Sequence, residues 1–165
     1  MSSLVVLAFD DMDGAEAMRE RMYDFQKREL ITLEDAAVVV RKPNGKAKVK
    51  QAHSLVGAGA LGGAFWGMLI GLIFLAPVLG MAVGAVSGAL GGKFADIGID
   101  DDFIKQVGEE IDPGESALFM LVTDAQTDRV IEELEPYDPQ LLETNLSTDD
   151  EEKLREEFAA DGLRA

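Results

Sequence analysis

Short apolar runs and helix-like spacings occur on both sides of one long apolar block. Before the block, the apolar run Leu4–Phe9 ends at two aspartates, which predicts a buried strand. Apolar residues then recur at three- and four-residue spacing and predict a helix from about Gly14 to Arg28. An Asn-Gly turn at Asn44 favours a hairpin between two further extended segments. These two segments are Ala36–Val40 and Lys46–Lys50.

After the block, a strand, a helix and a strand follow one another again, preceded by a short helix. The cluster Asp100–Asp102 is expected to cap a helix that ends near Glu110. A buried strand, Ala117–Val122, is followed by a helix, Thr127–Leu134, and a final strand, Gln140–Asn145. Two βαβ-like halves predict an α+β fold, a ferredoxin-like split βαβ sandwich interrupted by the apolar block.

The apolar block contains no charged residue from Gln51 to Gly92. Its 42 residues are about twice the roughly 20 that one transmembrane helix needs. Pro77 lies near its middle and suits the first turn of a second helix. The block therefore predicts a transmembrane hairpin with spans near Ser54–Leu75 and Val78–Phe94.

Glycines recur every fourth residue in each predicted span. Such ridges allow helix backbones to approach closely within lipid, so a glycine zipper is expected to pack the two helices. The predicted helix-packing residues are Gly59, Gly63, Gly67, Gly71, Gly80, Gly84, Gly88 and Gly92.

Four segments follow from this pattern. Residues 1–52 form the first half of a cytoplasmic α+β domain, 53–94 the hairpin, 95–147 the second half, and 148–165 an acidic tail. Basic residues flank the hairpin on both sides, and its central turn has no charge. The positive-inside tendency then places both termini in the cytoplasm and the protein in the inner membrane, with the lipid bilayer as a partner.

The net charge and the small number of Cys and His residues restrict the functions that the protein can have. The net charge of −16 argues against nucleic acid as a partner, because phosphates would be repelled. The chain has no Cys and one His, which excludes thiol catalysis and Cys- or His-rich metal centres. Asp10, Asp11, Asp13 and the Asp100 cluster are interpreted as helix caps. We therefore expect no enzyme activity, no cofactor, no metal and no small-molecule substrate.

The sequence then favours a non-enzymatic membrane protein, structural or regulatory, that self-associates as a homo-oligomer through its glycine ridges. One alternative is an oligomeric channel or pore, which the lack of polar residues in the spans beyond Ser87 disfavours. Another alternative is a soluble ring or cage that buries the hairpins inside.

The chain also resembles domain-of-unknown-function family 1269, described as predicted membrane proteins of bacteria and archaea. The resemblance covers roughly residues 3–147 and implies membrane association, but it carries no activity and no catalytic residues. The segments that match are Leu4–Asp11, Leu33–Ala36, Gly57–Gly67, Gly98–Ile104 and Ser116–Phe119.

Overall fold

In a computed structural model, a five-stranded antiparallel sheet organises the described part of the chain. The structure describes residues 2–54, 63–74, 99, 101–125 and 127–146. The strands lie in the order β3-β2-β4-β1-β5. Their bounds are β1 Ser2–Phe9, β2 Ile31–Arg41, β3 Ala47–Ser54, β4 Ser116–Ala125 and β5 Gln140–Leu146.

Four helices are present in the described residues, and their order interleaves two βαβ units. One unit is β1-α1-β2 and the other is β4-α4-β5. In the sheet, β4 lies between the two strands of the first unit, and β1 lies between the two strands of the second. The halves on either side of the apolar block therefore build one sheet. The helices are α1 Gly14–Lys27, α2 Gly63–Phe74, α3 Asp101–Glu110 and α4 Thr127–Leu134, followed by a 3₁₀ turn, Glu135–Tyr137.

Apolar residues cover both faces of the sheet. The α1 face is the side covered by α1 and α4, and the α2 face is the side covered by α2 and α3. Successive residues of β4 alternate between these two cores, as strand geometry requires. The α1-face core includes Leu7, Met18, Met22, Phe25, Leu33 and Met120. The α2-face core includes Leu4, Trp66, Leu69, Ile73, Val107 and Phe119.

Local signals start α1 and dock it on the sheet. The Asp11 carboxylate accepts hydrogen bonds from the backbone N–H groups of Gly14, at 2.6 Å, and Asp13, at 3.2 Å. The buried Ser116 hydroxyl on β4 accepts the N–H of Ala15 at 3.1 Å and donates to the Asp11 carbonyl at 2.7 Å. One side chain of β4 thus satisfies a first-turn N–H group that has no partner within the helix.

The predicted Asn-Gly hairpin is confirmed between β2 and β3. Gly45 has a φ of +87°, a left-handed conformation that glycine adopts without strain. The Asn44 side chain accepts the N–H of Lys46 at 3.0 Å, and Lys42 donates its N–H to the Lys46 carbonyl at 2.8 Å. The strand β2 starts at Ile31, earlier than the predicted Ala36.

The transmembrane hairpin is not supported, and the predicted inner-membrane location is wrong. Within the described residues, no helix combines the length and the apolar character needed to cross a bilayer. The helix α2 spans 12 residues, about 18 Å at 1.5 Å per residue, against a hydrocarbon core of about 30 Å. Several of its apolar residues, among them Leu69 and Leu72, lie in the α2-face core against the sheet.

The same finding overturns the integral membrane function and leaves the channel alternative without a spanning helix in this part of the chain. The second predicted span, Val78–Phe94, and the acidic tail, 148–165, lie outside the described residues. The α+β class is confirmed, because one sheet and helices on both of its faces are present.

Replacing Ser116 with Ala is expected to destabilise the protein by about 1–3 kcal/mol, because it leaves the buried N–H of Ala15 without its partner and removes a partly buried bond to the Asp11 carbonyl. Chemical denaturation of both proteins measures the change in the free energy of unfolding. The control is Thr123→Val, which removes an exposed hydroxyl that makes a 3.4 Å bond to the Thr32 carbonyl. We expect that change to stay within about 0.5 kcal/mol. Equal effects at the two positions would contradict the role assigned to Ser116.

Candidate functional site

An apolar groove lies beside α4. This helix has eight residues, too few to cover the sheet from β4 to β5. A groove of about 310 Å³ remains between α4 and the strands, and a second opening of about 340 Å³ continues it along β5. The side chains shared by both openings are Leu7, Ile131, Leu134 and Leu141.

Exposed hydrophobic side chains surround this groove. Ile131 on α4 and Leu141 on β5 are each 53% exposed, and Tyr137 in the 3₁₀ turn is 44% exposed. In the described part of the chain only one other large hydrophobic is exposed, Met68 on α2 at 37%. Single exposed hydrophobics need no explanation, but a contiguous group marks an interaction surface. We call Ile131, Leu141 and the groove that they line the α4–β5 surface.

Polar contacts hold α4 against α1. Arg28 at the end of α1 donates two hydrogen bonds to the Glu133 carboxylate, at 2.6 and 2.8 Å. The Arg28 hydrogen bond lowers the pKa of Glu133, and the Glu133 carboxylate in turn raises the pKa of Arg28. The Arg21 guanidinium carbon lies 5.6 Å from the centroid of the Tyr137 ring, within range of a cation–π interaction.

Acidic residues dominate the exposed rim of the α4–β5 surface. From Thr127 to Leu146 the chain has six acidic residues and one basic residue, Arg129. Glu133 is paired with Arg28. Glu135, Asp138 and Glu143 are exposed and line the openings of the groove, and Asp128 and Glu132 are exposed on α4.

Two of the aspartates predicted as helix caps lie at the start of α1. The Asp11 side chain caps α1, while Asp13 occupies the N-cap position without a side-chain hydrogen bond to the helix. Among the residues that the structure describes, no three acids or histidines are grouped closely enough to hold a metal ion. His53 pairs with Ala36 in the β2–β3 ladder.

Three of the eight predicted helix-packing glycines, Gly63, Gly67 and Gly71, belong to α2. A Cβ built at Gly67 would meet no atom of the described residues within 4 Å, and this position is exposed. The glycine-packing hypothesis therefore stays a prediction. The other five glycines lie outside the described residues: Gly59, Gly80, Gly84, Gly88 and Gly92.

The α4–β5 surface was not predicted as a site from the sequence, although one signal was present. Leu141 and Leu142 are adjacent in a strand, so they must point to opposite faces. Leu142 enters the α2-face core, which leaves Leu141 on the α1 face, where α4 is too short to cover it. The Arg28–Glu133 pair joins residues 105 positions apart and has no local signature.

Replacing Glu133 with Gln should cost stability at neutral pH and cost none in acid. Because the native pKa of Glu133 is lowered from its ordinary value of 4.5, the unfolded chain binds its proton first as the pH falls. The stabilisation is therefore complete above that ordinary value and is lost as the pH falls through the native pKa. Urea denaturation of wild type and variant across this range measures it.

The control is Glu132→Gln, at an exposed neighbouring position for which the described residues provide no ion pair. Because this variant removes a carboxylate without removing an ion pair, it should cost less stability at neutral pH than Glu133→Gln. A Glu133→Gln difference that does not change with pH would contradict the assigned ion pair.

Comparison with known proteins gives one family. The family model described as protein of unknown function (DUF1269) matches residues 60–159, more than half of the chain. The match therefore omits β1, β2 and β3 and extends into the acidic tail, unlike the expected range of 3–147. No curated protein and no solved structure shows a significant match. The chain belongs to this DUF1269 family of proteins of unknown function.

Proposed function

We propose that this protein is a non-catalytic assembly module that forms homo-oligomers through its α4–β5 surface. The observation that carries the proposal is that Ile131 and Leu141, two exposed hydrophobic side chains, both line an apolar groove. Exposed apolar area of this kind is stabilised by contact with a second protein surface. Of the functions considered from sequence, the homo-oligomeric ring or cage is the one that needs no membrane-spanning helix, and no described helix is long and apolar enough to be one.

The absence of catalysis is part of the proposal and is supported by chemistry. The chain contains no Cys and a single His, so thiol chemistry is excluded and only one imidazole is available as a base near neutral pH. The Asp11 carboxylate, which follows β1, is engaged with two backbone N–H groups. The acidic rim of the α4–β5 surface also disfavours nucleic acid as the partner.

We also propose that the fold is ferredoxin-like. If β3 is set aside as an added edge strand, the remaining order is β2-β4-β1-β5, with two interleaved βαβ units. This order and the placement of α1 and α4 on one face support the assignment. The segment between β2 and β4 then becomes an insertion that adds β3, α2 and α3, and it covers the second face.

The test is the oligomeric state of the full chain, measured by light scattering across a dilution series. We expect wild type to be larger than a monomer, and Leu141→Lys and Ile131→Lys each to weaken association by roughly 10- to 100-fold. This range follows from about 1.5–3 kcal/mol for burying one such side chain and 1.4 kcal/mol per tenfold in affinity.

Met68→Lys is the matched control, because it adds the same charge at an exposed hydrophobic of α2, on the other face of the sheet. It should leave the oligomer unchanged. A wild type that is monomeric at every concentration would overturn the proposal. Dissociation by Met68→Lys alone would overturn it too, since assembly would then involve α2.

A further inference from the structure

We infer that the copies assemble head to tail, with the α4–β5 surface of one copy placed against the β3 edge of the next. This inference rests on the proposed function and adds the identity of the second surface. The partner is thus another copy of the same chain, and the contact joins two different surfaces. Such contacts close into rings or extend into helical filaments.

The sheet has two outer strands that can extend it. In the described part of the chain, β3 pairs only with β2 and β5 pairs only with β1, so each has one open edge. The chain of antiparallel pairings makes β3 and β5 run in the same direction. A neighbouring copy in the same orientation would therefore place its β3 parallel to β5, in one continuous sheet.

Lysines mark the β3 edge on the α1 face. Ala47 and Val49 pack against the α2-face core, so the alternate residues Lys46 and Lys48 lie on the opposite side, the α1 face. Both are exposed. Lys50 also lies on this side, where its ammonium group is 2.7 Å from the Glu16 carboxylate on α1.

The acids of the α4–β5 surface lie on the same side of the sheet at the opposite edge. The helix α4 covers the α1 face, and Leu141, which faces α4, alternates with Leu142 of the α2-face core. Exposed Glu132 and Glu135 thus project from the same layer as the lysines of β3. Copies in the same orientation would bring these opposite charges together.

The lysine side chains suit the apolar part of this surface as well. A lysine can lay its four-carbon stem along apolar area while its ammonium group stays with a carboxylate or in water. Lys46 and Lys48 of one copy could therefore cover Leu141 and Ile131 of its neighbour and reach Glu135. A partner with both an aliphatic stem and a positive end matches an apolar groove with an acidic rim.

Charge excludes the two symmetric arrangements. Pairing β5 with β5 would place two acidic rims together, and pairing β3 with β3 would oppose two rows of lysine. Like charges brought together in this way act against association. Lysines on an edge strand also protect against unwanted pairing. That role alone explains neither the acidic rim nor the open groove at the other edge.

The experiment uses two charge-reversal variants of the full chain. One is Lys46→Glu with Lys48→Glu, and the other is Glu132→Lys with Glu135→Lys. None of these four side chains has a hydrogen bond or an ion pair to another described residue. Matched controls on other surfaces are Lys27→Glu with Lys105→Glu, and Glu109→Lys with Glu110→Lys.

Each variant alone should associate at least tenfold more weakly than wild type. An equimolar mixture should recover association with the two variants in equal numbers, because each variant retains the surface that the other has lost and the two reversed surfaces again carry opposite charges. Native mass spectrometry of a mixture in which one variant is ¹⁵N-labelled identifies these mixed assemblies. The controls should assemble like wild type, and added salt should weaken wild-type association because exposed charges are screened over about 8–10 Å.

The inference is overturned if wild type assembles and both variants also assemble alone, or if mixing restores nothing. In those cases self-association itself stands, and only the head-to-tail arrangement fails. A wild type that stays monomeric overturns the proposed function and this inference together. Circular dichroism of each variant confirms that a lost oligomer does not reflect a lost fold.

Discussion

The strand β4 is buried on both of its faces, and every layer of the fold is attached to it. Its run Ala117–Val122 is apolar without interruption, as in strands covered on two sides. In the sheet, β4 pairs with β1 on one side and with β2 on the other. Because both faces must be removed from water, the fold needs a helical layer on each side. The second layer comes from the segment between β2 and β4.

This requirement explains why the apolar helix α2 was misjudged from sequence. The lack of charge in α2 predicts only that its whole circumference avoids water, and either lipid or a protein core satisfies that. Leu69 and Ile73 meet the α2 face of the sheet, and Trp66 packs edge-on against Phe119 of β4, with centroids 6.4 Å apart. The spacing of apolar residues within one segment contains no information about which surface will cover them.

The other elements were predictable because their signals are local. The Asp11 cap, the Asn44-Gly45 turn and the alternation of Lys with Ala and Val each act within a few residues. The α4–β5 surface depends on contacts between distant residues, such as Arg28 with Glu133, and on how far a short helix extends over a sheet. Such a surface emerges only when the strand order is known.

The strand order also converts a charge asymmetry along the chain into an asymmetry in space. Residues 1–50 hold nine acids and nine bases, whereas residues 94–165 hold 22 acids and five bases. The interleaved topology places β3, from the balanced part, at one edge and β5, from the acidic part, at the other. A chain with a net charge of −16 repels its own copies on average. Contact between the lysine-bearing edge and the acidic edge is the arrangement in which local attraction opposes that repulsion.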